Sequence, residues 1–159
     1  MKMTLECLLM LLSTFLAPSA HAAEFWVRPV EDVKAEYLWV ADEPQRANAT
    51  NGLTATLWAM PEESIVSEDG CALIGFAIVG MGDIGEIPVA FEIWGSNTRA
   101  AGIRRTLDGE SIEIGLEASG CETPGGCGAK PVLVKIDRQQ DARAVLVDGK
   151  VLGLLKSRL

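Results

Sequence analysis

From residue 53 to the C-terminus the chain is a train of short apolar runs separated by turn residues. The runs are LTATLWAM, CALIGFAIV, IPVAFEIW, GIRRTL, SIEIGLEA, KPVLVKID, ARAVLV and KVLGLL, and none exceeds nine residues. Runs this short, rich in β-branched and aromatic residues, fit strands better than helices. Between them stand Asn51-Gly52, Asp69-Gly70, the glycines from Gly80 to Gly85, Gly95-Ser96, Asp108-Gly109, Pro124-Gly125-Gly126 and Asp148-Gly149. Asp-Gly between such runs favours a tight hairpin, because both turn positions take positive φ. RRTLDGESIEI and AVLVDGKVLG are the two best cases. Seven or eight strands at this spacing predict an all-β fold, a single antiparallel β-sandwich or barrel-like domain over residues 53–159. Residues 23–52 read as an N-terminal appendage. Val33, Tyr37 and Val40 could form one face of a short helix there, although EYLWVA also reads as a strand.

The first residues predict export. Lys2 precedes an apolar run from Leu8 to Leu16, and Ala20-His21-Ala22 is a small-x-small cleavage pattern. Residues 1–22 are therefore expected to leave as a signal peptide, giving a periplasmic or secreted protein that begins at Ala23. No stretch reaches the roughly 20 apolar residues of a membrane-spanning helix. His21 is the one histidine of the chain and leaves with the signal. The mature protein then has no imidazole for a Ser-His-Asp or Cys-His arrangement, nor for zinc.

Charge is divided unevenly along the chain. Residues 23–95 carry 13 acidic against 3 basic side chains, whereas residues 96–159 carry 8 against 10. The acidic half disfavours nucleic acid and anionic membrane and suits a basic protein partner; solubility is the plainer reading. The tryptophans, Trp26, Trp39, Trp58 and Trp94, read mainly as core or sheet-face packing, with an exposed aromatic patch as the alternative.

The remaining motifs argue against catalysis and cofactors. GMGDIG, from Gly80 to Gly85, matches the dinucleotide-binding spacing. A dinucleotide site needs a helix opening at the last glycine, and the continuation EIPVAFEIW is strand-like, with Asp83 and Glu86 adding unfavourable charge. The acidic pairs Glu31-Asp32, Asp42-Glu43, Glu62-Glu63 and Glu68-Asp69 lack the fixed separation of two catalytic carboxylates and read as a solvated face. No stretch has the ligand order of a calcium loop. No metal, cofactor or catalytic residue is expected.

Cys7 lies in the signal, which leaves Cys71, Cys121 and Cys127. Five residues separate Cys121 from Cys127, against the two of a redox motif, and three cysteines without histidine fall short of a zinc knuckle. A disulfide between Cys121 and Cys127 across a hairpin end is expected. It would tie the loop Glu122, Thr123, Pro124, Gly125 and Gly126 as a contact surface for a partner, and contribute about 2 kcal/mol. Cys71, opening CALIGFAIV, then reads as a buried free thiol.

Gly95, Gly102-Ile103-Arg104, Asp108-Gly109, Cys121, Gly126-Cys127 and Ala129 follow one another in an order that resembles the invasion-associated locus B family of exported bacterial proteins. The resemblance spans residues 91–129. Five residues separate the cysteines where that family's pattern has four, and LWAMPEE has no cysteine shortly after Trp58. The resemblance implies a non-catalytic virulence-associated protein acting at the envelope or in host interaction. The alternative is a periplasmic inhibitor of a cationic secreted enzyme such as lysozyme.

Overall fold

The computed structural model describes residues 24–61, 64–68, 70–82, 86–120, 122, 130–139 and 142–157. In chain order the elements are β1 (Glu24–Val30), α1 (Ala35–Val40), β2 (Gln45–Asn48), β3 (Leu53–Ala59), β4 (Ala72–Met81), β5 (Glu86–Ile87), β6 (Val89–Ser96), β7 (Thr98–Arg105), β8 (Ile112–Ala118), β9 (Lys130–Gln139), β10 (Ala142–Val147) and β11 (Lys150–Ser157). They form two antiparallel sheets, ordered β1-β6-β4-β3-β2 and β5-β11-β10-β9-β8-β7. The expected all-β sandwich is the fold.

Alternation places the core. Along β3, Leu53, Ala55 and Leu57 are buried while Thr54, Thr56 and Trp58 are only partly so, the period of two of a strand with one face inward. Leu53, Leu57, Phe91 and Ile93 of the first sheet meet Ile112, Ile114, Val132 and Val134 of the second in one cluster. Each side chain of this size contributes about 1.5–3 kcal/mol on full burial.

The first sheet is also covered on its outer face. Tyr37, Met60, Cys71, Leu73, Phe76 and Trp94 form a second buried cluster, against which Trp26 and Trp58 pack. Trp26 stacks on Trp94 with ring centres 6.0 Å apart, and Trp58 stacks on Phe76 at 5.2 Å. β4 is therefore buried on both sides. Its register shifts between Leu73 and Gly75, and a Cβ at Gly75 would lie 2.8 Å from the Trp58 carbonyl oxygen. Gly75→Ala is expected to destabilise the domain by about 1–3 kcal/mol. The check is a lower urea midpoint at unchanged denaturant slope.

The two Asp-Gly turns differ. Asp148 and Gly149 both have positive φ, and Val147 pairs with Lys150, giving the expected two-residue hairpin. At Asp108-Gly109 only the glycine has positive φ. The loop is longer, closed by Thr106 N–H donating to Ser111 O at 3.0 Å. The Asp108 carboxylate draws the chain into this form by accepting from the Thr106 hydroxyl and the Glu110 N–H. Those same bonds, Thr106 first, hold its carboxyl below the ordinary aspartate range. The hairpin tip also packs on the β2–β3 turn, where the Thr50 N–H donates to Gly109 O at 2.8 Å.

Residues 24–52, expected as an appendage, supply both edge strands of the first sheet. β1 pairs with β6 along its whole length, and β2 pairs with β3. Phe25 and Val27 pack into the inner core while Trp26 packs outward, so this edge strand is apolar on both faces. EYLWV belongs to a helix, with Tyr37 buried beneath it and Val40 turned out rather than in.

Candidate functional site

One end of the sandwich carries the described approach to the expected contact loop. There the chain passes from β6 to β7 through Asn97, a non-glycine residue at φ 51°. Its carbonyl accepts from Ser119 N–H at 2.8 Å, just past the end of β8. Gly120 and the exposed Glu122 follow, and β9 begins again at Lys130, opposite Leu116. The connection from 119 to 129 thus starts and ends at this edge. Cys121, Thr123, Pro124, Gly125, Gly126 and Cys127 lie outside the described residues, as do Glu62, Glu63 and Asp69 of the acidic pairs.

A pocket of about 370 Å³ opens beside that connection, lined by Asp42, Met60, Pro61, Arg99, Ala101 and Glu117 among others. A bulge in β7 between Ala100 and Gly102 inserts Ala101 into this wall; bulges of this kind re-aim side chains next to sites. Glu117 is buried, and its Oε1 accepts from Arg99 at 2.7–2.8 Å. That arginine charge is matched inside the fold. Asp42, exposed at the rim, is held by its N–H donating to Ala59 O at 2.8 Å. The lining sets three charged side chains, Asp42, Arg99 and Glu117, among apolar residues.

Two features here were not expected from the sequence. The first is Cys71, which is 1% exposed and half of a disulfide whose other half lies outside the described residues. The free thiol expected at Cys71 is corrected: the residue opens β4 at the edge of the outer cluster, and its sulfur is oxidised. The expected Cys121–Cys127 bond lies outside the described residues. The second is Trp39, which is 88% exposed between the exposed Leu38 and Val40. Trp26, Trp58 and Trp94 do pack as expected.

On the outer face, Glu92 is 1% exposed, yet its Oε1 takes Arg28 Nη2 at 2.6 Å and Trp94 Nε1 at 2.9 Å. Glu92 Oε2 and Trp26 Nε1 are buried without a hydrogen-bond partner. Of GMGDIG, Gly80 and Met81 finish β4, and Glu86, just after it, begins β5, a strand and not a helix. No helix among the described residues is long and apolar enough to cross a membrane.

Compared with family models, curated proteins and solved structures, the chain matches none.

Proposed function

We propose that this chain is a non-catalytic exported protein of the invasion-associated type, periplasmic or secreted, that holds a basic protein partner at the envelope or in host interaction. The observation that carries the reading is how a charge division along the chain becomes one across the fold. β1, β2, β3, β4 and β6, with α1, all come from the acid-rich half, and they build the whole first sheet. The second sheet takes five of its six strands from the half that is balanced toward basic. Within the acid-rich half, Glu31, Asp32, Glu36, Asp42 and Glu43 are exposed along the stretch that holds α1, a concentration of charge that steers a cationic partner and turns away nucleic acid.

The loop at Glu122–Gly126 belongs to the same proposal. In a chain cleaved before Ala23, the cysteine joined to Cys71 is Cys121 or Cys127. The loop is then fastened to the first sheet instead of being closed on itself. Inhibition of a cationic enzyme such as lysozyme is the narrower reading, supported by the pocket, which sets a recess beside the exposed Asp42.

Immobilised residues 23–159, offered periplasmic and host-cell extracts, should retain basic proteins and release them in 1 M salt, where the Debye length is about 3 Å. Retention of acidic or neutral proteins alone, or of nothing, overturns the reading. Inhibition of lysozyme turnover by the same protein would select the inhibitor.

A further inference from the structure

We propose that α1 anchors the acidic face to its partner. Trp39, with Leu38 and Val40 beside it, inserts into an apolar notch bordered by lysine or arginine on a cationic amphipathic segment of a protein. The proposal rests on the reading above and adds the place of contact and the kind of surface it takes.

Three consecutive apolar side chains of α1 face solvent, and packing does not require them there. The helix is six residues long, too short to persist by itself in water. It is seated through Tyr37, its one buried residue, which lies against Phe76 with ring centres 6.0 Å apart. The outward positions of so small a helix are ordinarily polar. Here they are Leu, Trp and Val, and Trp is among the residues most enriched where binding energy concentrates.

The surroundings select the partner. Glu31, Asp32, Glu36, Asp42 and Glu43, all exposed, flank Trp39 within eight positions along the chain. Lys34 is the one base in this stretch, and its Nζ lies 5.5 Å over the Tyr37 ring. An apolar knob within an acidic rim is complementary to an apolar notch within a basic one. A lysine or arginine there also gains by lying on the indole face. A second copy of the chain would bring rim against rim, and an anionic membrane or nucleic acid is repelled. A neutral apolar partner leaves the rim without a counterpart.

The test uses residues 23–159 and a synthetic amphipathic helical peptide of leucine and lysine. Controls are the same composition scrambled to disperse its apolar face, and an oligolysine of equal charge. Calorimetric titration should show saturable binding of the amphipathic peptide, with a blue shift of tryptophan emission as Trp39 leaves water. Trp39→Ala should weaken that binding by about tenfold or more with unchanged thermal midpoint. Trp39→Phe should recover part of it, and Asp42→Lys should weaken it with Trp39 intact. The proposal is overturned if Trp39→Ala binds like the wild type or if either control peptide binds as well. It is equally overturned if sedimentation shows a dimer that Trp39→Ala dissolves, since a second copy then covers α1. If Trp39→Ala still retains basic proteins from extract as the wild type does, α1 is not the anchor and the binding reading stands. If the wild type retains none, both fall.

Discussion

Replacing Cys71 with serine is expected to lower the stability of the domain by about 4 kcal/mol, a larger loss than any short disulfide-closed loop accounts for. Cys71 is disulfide-bonded and almost wholly buried. Ala72, the next residue, sits opposite Gly95, while Ser119 is hydrogen-bonded to Asn97. The chain before Cys121 and the chain after Cys71 thus meet the same β6–β7 link, which makes Cys121 the expected partner. A bond to Cys121 or Cys127 closes a ring of roughly 50–60 residues, for which the chain-entropy estimate is about 4 kcal/mol. A bond between Cys121 and Cys127 would be worth about 2 kcal/mol on the same estimate. Peptide mapping of the non-reduced protein identifies the pair, and urea unfolding with and without reductant gives the size of the effect. Recovery of Cys71 as a free thiol would sink the expectation.

Removing Arg28 is expected to cost about 3 kcal/mol, because it strands a charge inside the outer cluster. Arg28 is half-exposed, but Glu92 is not, and its Oε2 already has no hydrogen-bond partner. In Arg28→Ala the carboxylate keeps Trp94 Nε1 on Oε1 and loses its countercharge. An exposed ion pair would be worth at most about 1 kcal/mol, so the two cases separate cleanly. Replacing both residues by leucine should recover part of the loss, since no buried charge then remains, although Trp94 Nε1 loses its acceptor. Urea midpoints of the two single variants and the double variant decide the matter.

Much of the sandwich was legible in the sequence, because strands of six to ten residues with one buried face announce themselves by alternation. The β10–β11 turn was legible for the same local reason: Asp148-Gly149 needs nothing beyond its own backbone. Legibility stopped where a residue answers to distant ones. β1 shows no clean alternation, since Phe25 and Trp26 pack on opposite faces of the sheet. Tyr37 and Val40 were placed on one helical face, but one and a half turns are too few for periodicity to say which face is inward. Cys71 looked unpaired because three cysteines with two of them close together leave one over, and spacing alone does not say which. The acidic half was visible as composition; that it builds one sheet depends on every strand of the first sheet preceding residue 97. Trp39 gave no signal separating it from the three packed tryptophans, which share its residue type and differ only in what covers them.

That ordering of strands bears on how the chain matures if it is exported as proposed. A polypeptide that emerges N-terminus first presents every strand of the first sheet before β7 appears, so β1 to β4 and β6 can complete their ladders without waiting. During that interval the sheet has its apolar inner face uncovered and Cys71 still reduced. The arrival of the second half covers the face and, with Cys121 as the expected partner, delivers the second sulfur at the same time. On that pairing, oxidation at Cys71 records that both halves have docked. In the proposed exported protein a thiol oxidase would thus act last, as the step that locks a finished assembly.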